Sequence, residues 1–222
     1  SKIGLHAIDQ RFRREGWGGR QPGTSLDHQE IRGKTVGIVG YGHIGEQVAK
    51  RAAAFDMRVI AVRRSEKTTP PLLDWLGTPD RLDELLGQSD FIVVACQLND
   101  QTEGMIGAAQ LARMKPDSVI INVARGRIIA EEALYNALKS KTIGAAVLDV
   151  WYNYIGADKK EVWPSNHPFQ DLDNVILSAH ESASTPEQLM RRWQFVAANL
   201  NRMAMGEPLE NQVFEGTAKT GG

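Results

Sequence analysis

The run Thr35-Val36-Gly37-Ile38-Val39-Gly40-Tyr41-Gly42-His43-Ile44-Gly45 constrains this chain more than any other stretch. Five residues of strand character lead into Gly40-x-Gly42-x-x-Gly45, and the pattern turns helical from Ile44 to Asp56. Strand, glycine turn and helix in that order form the cradle that a dinucleotide's pyrophosphate requires. Gly40 permits the tight turn, Gly42 lets the backbone approach the phosphates, and Gly45 lets helix and strand pack closely. The helix N-terminus adds unpaired N–H groups and a partial positive charge. Alone, such a motif is a common glycine turn. Here Arg58-Val59-Ile60-Ala61-Val62 follows at βαβ distance, which favours dinucleotide binding over a purely structural turn.

The rest of the chain alternates in the same way. Apolar runs at 35–39, 57–62, 91–95, 118–123, 145–148 and 174–177 read as strands. Helices are expected over 3–15, 44–56, 81–86, within 101–111, over 129–139, and from Thr185 to about Met205. The last starts on Thr185-Pro186-Glu187-Gln188, an N-cap followed by proline at the first helical position. Residues 18–30, 66–80 and 151–172 read as loops. Near-continuous apolar strands between helices predict an α/β fold, a doubly wound parallel sheet of the Rossmann kind. The expected division is an N-terminal crossover helix and loop over 1–30, a dinucleotide-binding domain over 31–205, and a C-terminal tail over 206–222.

Bulk properties narrow the function classes. The 26 basic and 27 acidic residues nearly balance, so no overall field points to nucleic acid. No apolar run approaches a membrane span, and charges at Arg11, Arg13, Arg14 and Glu15 interrupt any signal core. A single cysteine, Cys96, excludes an internal disulfide framework, and a cytoplasmic setting is expected. No metal-ligand cluster is expected.

Ligands of doubly wound sheets sit beyond the carboxyl ends of the strands, which directs attention to His43, Arg63, Cys96, Arg125, Asp149 and His180. After 57–62 the chain reads Arg63-Arg64-Ser65, where an acidic residue would grip the ribose hydroxyls of NAD. Guanidinium forks match phosphate oxygens, so NADP is the expected cofactor, with NAD possible. Adjacent loop arginines are also often merely solvated. Arg125 in Asn122-Val123-Ala124-Arg125-Gly126 has the chemistry to clamp a substrate carboxylate, or to form a surface ion pair. Asp149 ends an apolar strand, where a carboxylate needs donors: a nicotinamide amide is one, a helix N-terminus another. His180, in Ser178-Ala179-His180, has the titration range to protonate an alkoxide formed by hydride transfer, though such a histidine can also be structural.

Taken in order, these motifs, with Cys96-Gln97-Leu98-Asn99-Asp100-Gln101-Thr102 and Asp149-Val150-Trp151, resemble the NAD(P)-binding domain of the D-isomer-specific 2-hydroxyacid dehydrogenases, from about Ile31 to Val213. The resemblance implies that Arg125 binds the substrate's carboxylate and carbonyl and that His180 is the acid/base. It implies that Asp149 holds the nicotinamide carboxamide. Further cofactor contacts are expected at His43, Ile44, Gln97, Thr102 and Ala124, and at Ser65, Cys96 and Ala183.

Two departures stand out. The Glu-Pro pair that usually follows the 145–148 strand in this family has no counterpart in Trp151-Tyr152-Asn153-Tyr154-Ile155. Only 39 residues precede Gly40, against the roughly 100–150 of a typical domain, so the family's substrate domain is expected to be largely absent from this chain. The expected function is hydride transfer between NADP(H) and a 2-oxo/2-hydroxy acid, in a homodimer without nucleic-acid or membrane partners. The alternatives are a cofactor-binding module without turnover, or formate-dehydrogenase-like hydride transfer lacking a proton step.

Overall fold

A computed structural model describes residues 5–19, 29–65, 68–156 and 162–212. Seven parallel strands form one sheet: β1 (Thr35–Val39), β2 (Arg58–Val62), β3 (Trp75–Gly77), β4 (Phe91–Val94), β5 (Val119–Asn122), β6 (Ala145–Leu148) and β7 (Val175–Leu177). Their spatial order is β3-β2-β1-β4-β5-β6-β7. The chain builds outward from β1 to β3, then returns to the other side of β1 to continue through β7. That reversal opens a crevice at the carboxyl ends of β1 and β4.

The apolar runs form this sheet because both of its faces are covered. Successive residues alternate between two cores: Ile60 and Val62 pack in one, Val59 and Ala61 in the other. Ile92 and Val94 join the first core and Val93 the second. Helix α2 (His43–Ala54) contributes Ala49 and Ala52 to the second core. Helices α3 (Leu82–Gln88) and α5 (Glu131–Lys139) send Leu85, Leu86, Leu134 and Leu138 into the first. The expected doubly wound sheet is therefore present. Helix α1 (Leu5–Glu15) ends in a 3-10 turn at Gly16–Gly19, where the glycine cluster predicts its stop; Ile3, counted at its start, lies outside the described residues.

One local expectation needs correction. Trp75–Gly77 is an edge strand, paired Ile60↔Trp75 to Val62↔Gly77, inside the stretch read as irregular. Three residues are too few to show a period, and Pro70-Pro71 just upstream obscures them. The helix expected within 101–111 is α4 (Ala108–Leu111), and the residues before it form a turn. The Asn99 carboxamide oxygen accepts from the amides of Gln101 (2.9 Å) and Thr102 (3.2 Å), which ties the backbone into that turn.

The chain groups into two compact units, Ser1–Ala179 and His180–Gly222. That division falls inside the span 31–205 expected as one domain. The second unit is built on α6 (Pro186–Ala204). Thr185 Oγ1 accepts from the Gln188 amide at 3.1 Å, the N-cap expected from its sequence. At the other end Gly206 takes φ +70, and the Gly206 and Glu207 amides return to the carbonyls of Met203 and Arg202, a Schellman stop.

Candidate dinucleotide site

The crevice is a cleft of about 1070 Å³, the scale of a small-molecule site. One wall is the turn that links β1 to α2. Gly40 takes φ +105, and a Cβ there would lie 2.5 Å from the Cys96 amide nitrogen, so an L side chain is excluded. Gly42 has an ordinary extended backbone, and a Cβ on it would meet no protein atom within 4 Å. The space a side chain would take there belongs to the cleft. Gly42 is also the N-cap of α2 and brings no side chain to its first-turn N–H groups, those a helix leaves unpaired. A glycine at this point keeps a cradle open for an anion, which is the fit a dinucleotide diphosphate requires. Gly45 is buried behind the turn, where a Cβ would stand 2.6 Å from the Gly40 carbonyl.

The opposite wall comes from the β4 end. Cys96, Gln97, Asn99, Gln101, Thr102 and Met105 line it. Thr102 Oγ1 donates to the Gln97 carbonyl at 2.7 Å and accepts from the Asn99 amide at 2.8 Å, fixing the loop on itself. Burial pushes the Cys96 thiol up to about 11, so it stays protonated at neutral pH.

Beyond β2, Arg63, Arg64 and Ser65 line the same cleft, with Pro79 and Leu82 facing it from the β3 side. None of its lining side chains is a carboxylate, among the described residues; Glu66 lies outside them. Arg81, between Pro79 and Leu82, is engaged elsewhere: it lies 3.9 Å over the Trp75 ring and makes two 2.8 Å bonds to Glu84. Of the residues singled out from the sequence, the cleft is lined by Gly40, Gly42, His43, Ile44, Arg63, Arg64, Ser65, Cys96, Gln97 and Thr102. It adds Pro79 and Leu82, from the turn and helix that follow β3.

Ala124, Arg125 and Asp149 do not line the cleft but stand further along the same strand-tip edge, after β5 and β6. Asn122, 1 % exposed, organises the first of these tips: its Nδ2 donates to the Arg125 carbonyl at 3.0 Å, and its Oδ1 accepts from the Ala124 amide at 3.1 Å. Arg125 is exposed, with one guanidinium N–H on the Ala124 carbonyl. Asp149 is buried and accepts from the Ser178 hydroxyl. His180 and Ala183 belong to the second unit, ahead of α6; His180 has a left-handed backbone, φ +60. Among the described residues no three His, Cys, Asp or Glu side chains gather as metal ligands, and no helix is long and apolar enough to cross a membrane.

A family model of the D-isomer specific 2-hydroxyacid dehydrogenase NAD binding domain matches residues 3–182. The chain belongs to this family. The D-3-phosphoglycerate dehydrogenase of Methanocaldococcus jannaschii is 39 % identical over 186 residues, covering 83 % of this chain and 34 % of that protein. The glyoxylate reductase of Korarchaeum cryptofilum is 35 % identical over 193 residues, covering 86 % and 55 %. The chain therefore spans between about a third and about half of these curated relatives. Among solved structures, an acyclic imino acid reductase in complex with NADPH and D-Arg superposes with TM-score 0.79 at 29 % identity, covering 94 % of this chain and 62 % of the other. The D-lactate dehydrogenase of Lactobacillus jensenii with NAD+ gives 0.75 at 26 %, covering 96 % and 64 %. This 2-hydroxyacid dehydrogenase nucleotide-binding domain thus has neighbours solved with either cofactor.

Proposed function

We propose that this chain binds NADP(H) in preference to NAD(H) and forms the nucleotide half of an enzyme that interconverts a 2-oxo acid and a D-2-hydroxy acid. The observation that carries the reading is the open cradle over Gly42, continuous with Arg63, Arg64 and Ser65 in a cleft whose described lining holds no carboxylate. The first-turn amides of α2 would take the diphosphate. Arg63, Arg64 and Ser65 would take a 2′-phosphate through charge-assisted bonds, where a carboxylate would repel it. When bound, the nicotinamide supplies or accepts the hydride.

Arg125 anchors the substrate carboxylate, a bidentate task suited to its exposed guanidinium. Asp149 orients the nicotinamide carboxamide, one of its oxygens already engaged by Ser178. His180 gives its proton to the new alkoxide in reduction and withdraws it in oxidation. The resemblance to the family supports these three roles. It also supports a homodimer, which sedimentation equilibrium at two loading concentrations tests.

The function is tested by titrating the full chain with NADPH and NADH, then following NADPH absorbance with glyoxylate, hydroxypyruvate or pyruvate. Tighter NADPH binding and substrate-dependent oxidation are expected. Failure to bind either dinucleotide would overturn the proposal. Binding without turnover would leave a cofactor-binding module.

A further inference from the structure

We infer that Trp151 is a positioning residue, whose indole N–H ties together the strand tips that carry the reacting groups. The inference rests on the reading of Arg125, Asp149 and His180 just given. Trp151 follows β6 by three residues and is 8 % exposed, its ring packed edge-on to Phe169 with centroids 6.5 Å apart. Its Nε1–H donates to the Ser178 carbonyl at 2.8 Å. Ser178 is held from two other directions as well: its amide donates to the Leu148 carbonyl at 2.9 Å and its hydroxyl to Asp149. The residue two positions before His180 is thus fixed at N–H, carbonyl and hydroxyl.

The main chain of Trp151 braces the neighbouring tip. A Cβ on Gly126 would stand 2.3 Å from the Trp151 carbonyl oxygen, so the Arg125-Gly126 turn rests directly against this backbone. The Trp151 amide donates to the Tyr154 hydroxyl at 3.0 Å, which holds that backbone in place. Asp149 joins the same framework through its amide, 3.2 Å from the Asn122 carbonyl. One residue therefore touches the chain just after β5, β6 and β7, the segments that lead in sequence to Arg125, Asp149 and His180. A phenylalanine would fill nearly the same space but has no ring donor, so the bond to Ser178 is a separable function of the tryptophan.

The test compares the wild-type chain with Trp151→Phe. In the wild type, the Trp151 indole N–H signal is expected to exchange slowly with solvent; exchange at the rate of a free indole would overturn the inference. In Trp151→Phe, folded by circular dichroism, the His180 amide and ring signals, identified by their loss in His180→Ala, are expected to move while those of His43 stay. Glyoxylate reduction should show kcat reduced about tenfold through a misplaced acid/base group, with the Kd for NADPH within about twofold of wild type. A folded variant whose His180 signals and kcat both match wild type would refute the bracing role. A wild-type chain that binds no dinucleotide would instead refute the proposed function, while the spectra still judge the brace.

Discussion

Gly40 and Gly42 stand two residues apart, yet alanine at each should have opposite consequences. At Gly40 an alanine must adopt φ +105, and its Cβ would lie 2.5 Å from the Cys96 amide nitrogen and 2.6 Å from its Cα. Left-handed backbone costs about 1–2 kcal/mol for an L residue. The clash is with main chain that no rotamer change relieves, so about 3 kcal/mol or more of stability should be lost. At Gly42 the backbone is extended, with φ −112 and ψ −157, and the new methyl meets nothing in the protein. Alanine should leave stability unchanged or raise it by up to about 1 kcal/mol, by restricting the unfolded chain. Its cost falls on the ligand. A methyl between the first turn of α2 and a phosphate forfeits at least two charge-assisted bonds of about 1.5 kcal/mol each. Their sum of about 3 kcal/mol weakens dinucleotide affinity roughly a hundredfold. Urea unfolding measures the first quantity and fluorescence titration with NADPH the second. A Gly42→Ala protein that binds NADPH within about twofold of wild type would refute the assignment of this cradle to a diphosphate.

Further outcomes follow from the same geometry. Arg63→Ala with Arg64→Ala should weaken NADPH binding by about tenfold or more and leave NADH nearly unaffected; equal losses by titration would remove the argument for the 2′-phosphate. Asn122→Ala removes two buried bonds to the Ala124-Arg125 turn. It should lower stability by about 2 kcal/mol in denaturant unfolding and raise the KM for the oxo acid through Arg125. The Cys96 thiol, pushed up to about 11 by burial, should react slowly with iodoacetamide at pH 8, faster as pH rises toward that value, and slower again with NADPH bound. Because the unfolded thiol ionises first, near its ordinary value of 9.0, this group should reduce stability as pH climbs from about 9 to 11, a trend Cys96→Ser should flatten.

Most of the fold was legible because one physical signal repeats. Strands buried on both faces must be apolar throughout, and 35–39 and 91–95 announce themselves in that way. The turn after β1 was legible because its three glycines answer three separate steric demands. β3 escaped notice: Trp75–Gly77 is short, half-buried and at the sheet edge, so it needs no apolar run. Of the span 101–111, expected to contain a helix, only Ala108–Leu111 is helical, because side-chain bonds from Asn99 and Thr102 to the backbone hold the residues before it in a turn. Arg125 and Asp149 stand out from the sequence by chemistry and by their place after a strand. What holds them, Asn122 and Trp151, does not, because a buried amide and a buried indole reveal their partners only once the strand tips lie side by side.

Hydrogen–deuterium exchange with and without saturating NADPH tests the central claim most directly. The account predicts protection at residues 40–46, strongest at the His43, Ile44 and Gly45 amides that open α2, with weaker protection at 63–65 and 96–102. Protection elsewhere, with the α2 first turn exchanging at its unliganded rate, would contradict it.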